Sequence, residues 1–124
     1  MTLIEAITRI DTLKPNTYAQ QEKVKWLSTL DGIIKHEIID THEGADGVTF
    51  NGYDENTNLA TELLVPAPYD DIYIRWLETR IDYTNGEYAR YNNGVEAYND
   101  AYSSFSRYYN RKHMPKGGKG FKFF

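Results

Sequence analysis

One row of side chains constrains this chain more than any other feature. Ile74, Leu77, Ile81, Thr84, Tyr88, Tyr91, Val95, Tyr98, Tyr102, Phe105 and Tyr109 follow one another at spacings that alternate between three and four residues. All of them except Thr84 are apolar or aromatic. A row with that mean spacing is the seam of a helix packed on other helices. No proline falls between Pro68 and Pro115. The pattern therefore predicts one very long C-terminal helix over about 70–111, with Pro68 at its start, where proline is tolerated. At 1.5 Å per residue it would run roughly 65 Å, against a diameter of roughly 35 Å for a compact domain of this length. Such a helix bends, breaks or protrudes to meet other chains. Asn85-Gly86 is a turn signal, so a helical hairpin broken there is the main alternative. The continuous helix is preferred because the spacing passes Gly86 without slipping. Gly86 and Gly94 lie off the seam, where they mark bends or admit a close neighbour.

The seam is rich in tyrosine. Nine of the eleven tyrosines lie between Tyr69 and Tyr109. Tyrosine combines a large apolar ring with a hydroxyl that needs a polar partner, and it is enriched on surfaces buried by association. Ile74 to Ile81 reads as ordinary core. For the second half, core and association surface stand level. Tyr88, Tyr91, Tyr98, Tyr102, Phe105 and Tyr109 are the candidate oligomer or partner interface.

Charge is distributed unevenly. Residues 1–100 hold 8 Lys or Arg against 18 Asp or Glu, and residues 101–124 hold 6 Lys or Arg and no acid. An acidic body and a basic end predict head-to-tail contact between copies, which closes into a ring. Cysteine is absent, which excludes a disulfide framework and thiol ligands. The first residues, MTLIEAITRID, carry acids inside an apolar pattern and do not read as a signal peptide. No apolar run has the length of a membrane span, so no membrane partner is expected.

Ahead of the long helix the sequence predicts two shorter ones. Thr2 and Glu5 form a capping box for the first, whose stripe is Leu3, Ile7 and Ile10 with Ile4 at its edge, and Pro15 stops it near Leu13. Asn16 or Thr17 caps the second, with Thr17 and Gln20 as a box. Its buried face is Trp26, Leu27, Leu30, Ile33, Ile34 and Ile38, and it ends near Asp40. The acidic middle, 40–67, is too long for an unstructured connection. Val48-Thr49-Phe50, Asn51-Gly52 and Tyr53 read as a small β-hairpin, and Glu62 to Val65 as a further extended run seeking a partner. The fold class is therefore mainly α: a small helical bundle forming one domain over 1–115. Residues 116–124 read as a flexible basic and aromatic arm. Lys116, Lys119, Phe121, Lys122, Phe123 and Phe124 make that arm a candidate docking segment.

Catalytic signals are absent from the pattern. Gly117-Gly118-Lys119-Gly120 lacks the spacing of a phosphate loop. Asp54, Asn56 and Asn58 start like a calcium loop, but Leu59 and Val65 stand where glycine and glutamate belong. His36, Asp40 and His42 make a weak metal candidate, more simply read as a surface pair. No serine or histidine has a nucleophile's context. No enzyme and no cofactor is expected. The basic end is compatible with weak DNA contact through backbone charges and stacking, against the repulsion of the acidic body.

Several of these stretches together resemble small structural proteins of tailed-phage and prophage packaging modules, most nearly the head–tail connector (adaptor, or head-completion) family. They are the two short N-terminal helices, the turn-marked acidic middle, Leu63-Leu64-Val65-Pro66-Ala67-Pro68-Tyr69 leading into the long helix, and Tyr83-Thr84-Asn85-Gly86-Glu87-Tyr88-Ala89-Arg90-Tyr91-Asn92-Asn93. The resemblance covers most of the chain and is architectural. It implies a mainly helical, non-enzymatic virion protein, made in the bacterial host cytoplasm, that assembles as a ring beneath the portal. Its implied partners are copies of itself, the portal and tail-completion proteins. The tyrosine-rich distal helix and the Gly-Lys-Phe end depart from the family's pattern. No single functional residue carries over.

Overall fold

Four helices carry the chain in the computed structural model, which describes residues 1–116. The first, α1, spans Leu3–Leu13 and starts with the capping box its sequence predicts. Glu5 N–H donates to Thr2 Oγ1 at 3.2 Å, and Thr2 N–H donates to Glu5 Oε1 at 2.8 Å. Two donors that a helix start leaves orphaned are satisfied in this way. Leu3, Ala6, Ile7 and Ile10 face inward, while Ile4 and Leu13 stay exposed.

The second helix, α2, spans Gln20–Glu37, followed by a 3₁₀ turn at Ile39–Thr41. Its start differs from expectation. The cap position is Ala19, without a side-chain bond. Asn16 instead closes a local turn, its Oδ1 accepting from Tyr18 N–H at 3.1 Å. Short polar side chains compete for nearby backbone in this way, and here the turn wins over the cap. Val24, Leu27, Leu30, Ile34 and Ile38 are buried, whereas Trp26 and Ile33 are half-buried. The aliphatic stem of Lys23 is also buried, and its Nζ reaches Asp11 Oδ1 at 2.6 Å, tying α2 to α1.

No strand forms among the described residues, so the hairpin at 48–53 is corrected. Gly52 takes a positive φ of +89°, but no backbone bond closes a turn there, and the next residue bonds to α2. Tyr53 N–H donates to Ser28 Oγ at 2.9 Å. An isolated two-stranded hairpin is marginal in water, and docking onto a helix satisfies the same backbone more securely. The run from Glu62 to Val65 does find a partner at its start, without becoming a strand: Glu62 bridges Thr2, Leu63 N–H donates to Met1 O at 2.9 Å and Leu3 N–H to Thr61 O at 3.0 Å. Leu63 and Val65 are thereby carried into the core.

The long helix is corrected most. It is two helices, α3 at Asp71–Thr84 and α4 at Tyr88–Lys112. Proline 68 precedes the helix by three residues instead of opening it. Gly86 takes φ +77°, its N–H donates to Tyr83 O at 3.1 Å, and Glu87 N–H donates to Asp82 O at 2.9 Å. This pair of bonds is the Schellman ending, and glycine adopts its left-handed residue without strain. The chain then folds back antiparallel: Trp76 meets Tyr98, and Tyr69 meets Tyr108. The spacing ran on through the break because Ile81 and Tyr88 are seven positions apart, yet the contacts across the hairpin are made by Trp76, Thr79, Arg80 and Tyr83, which lie off that row. Folding back buries rings that a protruding helix would leave in water.

Helix α3 is the hub, in contact with α1, α2 and α4. Ile72, Tyr73, Ile74, Leu77 and Ile81 are all buried. Gly94 lets α4 approach it closely, since a Cβ there would lie 3.3 Å from Thr79 Cγ2. Beyond α4 the chain pairs with the segment after α2. Glu43 N–H donates to Met114 O at 2.7 Å and Lys116 N–H to Thr41 O at 2.8 Å, so the folded backbone continues through Lys116.

Candidate protein-binding surface

The six candidate interface residues do not share one fate. Phe105 and Tyr109 are buried in the chain's own core, at 1% and 8% exposure. For these two, the core reading replaces the interface one. Tyr109 lies between two histidine rings, stacked on His113 at 4.2 Å and edge-on to His42 at 4.9 Å. Tyr98 and Tyr102 are half-buried in the groove between α4 and its neighbours. Tyr98 packs on Trp76 at 5.2 Å between ring centres. Tyr102 OH donates to Glu37 Oε1 at 2.8 Å, linking α4 to the end of α2. Burial, and then the nearby Glu37 carboxylate, pushes the Tyr98 hydroxyl up to about 12. The same two causes raise Tyr102. Neither ionises in the physiological range, so both act as neutral rings.

Tyr88 and Tyr91 remain, and the fold places them at the tip of the α3–α4 hairpin. Tyr83, which the seam passed over, lies there with them. Its ring centre is 5.8 Å from Tyr88 and 5.2 Å from Tyr91. Tyr83 and Tyr88 are 53% and 58% exposed, unusual for such large rings. Arg80 joins the cluster. Its guanidinium sits 4.5 Å above the Trp76 ring and 5.9 Å from both Tyr83 and Tyr91. A guanidinium held over aromatic faces gains about 0.5–1 kcal/mol per contact at an exposed site and is fixed in direction. The tip is braced from below, where Tyr18 OH donates to Asn85 Oδ1 and the Trp76 indole N–H donates to Trp26 O at 2.8 Å. Two exposed tyrosines beside a half-buried Tyr91, Trp76 and Arg80 on a stiff base have the residue types that dominate protein–protein contact energies.

A second constellation escaped the sequence reading. Asp31 has no exposed surface. It accepts from Tyr53 OH at 2.6 Å, Tyr73 OH at 2.6 Å and Leu64 N–H at 3.1 Å. Tyr73 OH in turn accepts from Val65 N–H at 2.7 Å. Burial raises the Asp31 carboxyl above its ordinary range, and the three donors partly offset that rise. Burial and the adjacent carboxylate raise both tyrosine hydroxyls. Asp31 and Tyr73 have no exposed surface, and of the three side chains only Tyr53 reaches the outside. The work of the knot is to fasten the 53–65 segment onto α2 and α3. The signal was present: Asp31 follows Leu30 and precedes Ile34 on the inward stripe of α2.

The weaker candidates disperse. His42 is buried, with its ring nitrogens against Ile38 O and Asn110 Oδ1. Asp40 pairs with Lys35, and His36 is exposed. Asp54 and Asn58 accept from the backbone of Asn56 and Ala60 in their own loop. No group of three metal-ligating side chains converges among the described residues. No described helix is long and apolar enough to cross a membrane. Of the docking arm, only Lys116 is described, with its side chain exposed. Lys119, Phe121, Lys122, Phe123 and Phe124 lie outside the described residues. Comparison with protein-family models, with curated proteins and with solved structures finds no match for this chain.

Proposed function

We propose that this chain is a non-enzymatic assembly protein that grips a protein partner with the tip of its α3–α4 hairpin. The observation that carries this reading is the exposure of Tyr83 and Tyr88 around the stacked Arg80. Large aromatic rings left in water beside an oriented guanidinium are anchors awaiting a pocket. The finer reading is a head–tail connector adaptor that forms a ring beneath a phage portal and resides in the virion. It rests on the sequence resemblance of the 63–69 and 83–93 stretches. The acidic body and basic end support contact between neighbouring copies in such a ring.

The test is mass measurement of the purified protein alone and with a portal protein. A defined higher-order species with the portal is the expected result. The variant carrying Tyr83→Ser and Tyr88→Ser should keep the fold and lose that species. Full assembly by this variant would remove the tip from the interface. No assembly with a portal by the unaltered chain would sink the connector reading.

A further inference from the structure

Arg80 differs from the other shielded cations of this chain. Lys14, Lys23 and Lys35 are, like Arg80, buried or half-buried, and each has a carboxylate against it. Lys14 reaches Asp82 at 2.6 Å, Lys23 reaches Asp11 at 2.6 Å, and Lys35 reaches Asp40. Arg80 is half-buried and forms no salt bridge among the described residues. The acids closest to it along the chain are engaged elsewhere: Glu78 with Arg75 at 3.3 Å, Asp82 with Lys14, and Glu87 with Arg90 at 3.4 Å. Its hydrogen bond within the described residues runs from Nε to Thr79 Oγ1 at 3.5 Å, a long distance for such a bond. A partly desolvated charge gains most when a counter-charge meets it.

Three rings frame this guanidinium without neutralising it. Trp76 covers one face at 4.5 Å, and Tyr83 and Tyr91 stand at 5.9 Å. A guanidinium covered on its face keeps its N–H edge for a planar acceptor, and a carboxylate meets two of those donors at once. The exposed rings of Tyr83 and Tyr88 would close around such a pair and keep water from it. A polyanion fits the tip less well. Nucleic acid is held by several cations on successive phosphates. Arg90, beside Arg80 at the tip, is already paired with Glu87, and residues 1–100 carry 18 acids against 8 Lys or Arg. One unpaired guanidinium among rings suits one carboxylate beside an apolar side chain.

We propose that the hairpin tip recognises an acidic segment of its protein partner. One Asp or Glu carboxylate pairs with Arg80, and a neighbouring apolar side chain lies against Tyr83 and Tyr88. This inference rests on the tip being the gripping surface.

The test selects a random-peptide display library on the immobilised full chain, and the best peptide is then titrated by fluorescence anisotropy. The expected peptides carry Asp or Glu next to an aromatic or aliphatic residue. Exchanging that acid for its amide should weaken binding about tenfold or more. Arg80→Met keeps an apolar stem over Trp76; it should show the same loss and no longer distinguish acid from amide. In NMR of the unaltered chain, the Arg80 Nε–H resonance should move with the acidic peptide and not with the amide one, which locates the carboxylate even where Arg80→Met fails to fold. An empty selection, peptides without an acid, or an acid preference that persists in Arg80→Met overturns the proposal. Tighter binding of oligothymidylate, lost steeply with salt, overturns it in favour of nucleic acid. Neutral peptides that are lost on Tyr83→Ser with Tyr88→Ser overturn the acidic partner and leave the tip as the gripping surface. Peptides indifferent to that pair of substitutions overturn both.

Discussion

The two sides of α3 are built from different materials. Toward α1 and α2 it meets Leu3, Ile10, Leu27, Leu30 and Ile34, all fully buried aliphatic chains. Toward α4 it meets Tyr91 and Tyr98, both half-buried; Tyr102 and Tyr108, also half-buried, reach Glu37 and Tyr69, and only Phe105 and Tyr109 reach the core from α4. The aliphatic side gains stability from complete removal of surface from water. The aromatic side gains it from ring contacts whose hydroxyls still reach Glu37 or solvent. One side tolerates no vacancy. The other tolerates partial exposure, and so is the side on which large rings remain available to a partner.

The contrast can be broken most severely at the Asp31 knot, within the closely packed side. Asp31→Ala leaves two hydroxyls and one amide without an acceptor in a dry site, and should cost about 3–5 kcal/mol, read by urea unfolding. A loss under about 1 kcal/mol would mean that water replaces the carboxylate. Gly94→Leu probes the closest approach on the aromatic side. Thr79 is buried, and its hydroxyl is held to Trp76 O at 2.6 Å, so it yields little and the variant should lose about 1–3 kcal/mol. A neutral result would show that α4 shifts freely on α3.

A pH series sharpens the same comparison. The Asp31 carboxyl is raised in the folded state, so the folded chain holds this proton more tightly than the unfolded chain. Charged Asp31 therefore favours folding less than the protonated form does. Its contribution becomes more favourable as pH falls through the raised folded value, and the change is complete below the ordinary value of about 3.9. Asp31→Asn removes that dependence. The stability of the unaltered chain relative to Asp31→Asn should rise as pH is lowered from 7 toward 4, and a flat difference would contradict the raised value. The smallest effect is expected at the tip. Tyr83→Ser and Tyr88→Ser should each change stability by no more than about 0.5 kcal/mol, because the rings are more than half exposed. A larger loss would place the tip in the structural class of the rest of the seam.

Local signals made much of this fold legible. The Thr2–Glu5 box, the stop before Pro15 and the inward stripe of α2 each depend on neighbours a few residues away, and each could be read from spacing. The hairpin turn was legible too, since Asn85-Gly86 carries the chemistry of a helix ending. It was outweighed by a periodicity that a hairpin and a straight helix share. What spacing could not supply is contact between distant residues. Asp31 meets Leu64 across 33 positions and Lys14 meets Asp82 across 68. Burial of Phe105 and Tyr109 likewise depends on the chain folding back. Tyr83 was missed at the tip because it lies one residue off the row that defined the seam.

The three-residue turn at 85–87 also has a consequence for the order in which the chain assembles. It joins two helices whose contacts with each other are close in sequence, and chains form such contacts at little entropic loss. The bonds between Thr41 and Lys116 and between Glu43 and Met114 instead close loops of more than seventy residues. The hairpin is thus expected to form early and the C-terminal clasp late. In native-state hydrogen exchange the amides of Glu43 and Lys116 should open through small local fluctuations, while those of Leu77 and Ile81 exchange only when the whole molecule unfolds. The backbone of Lys116 is therefore held by the last-formed and most readily opened joint of the described fold.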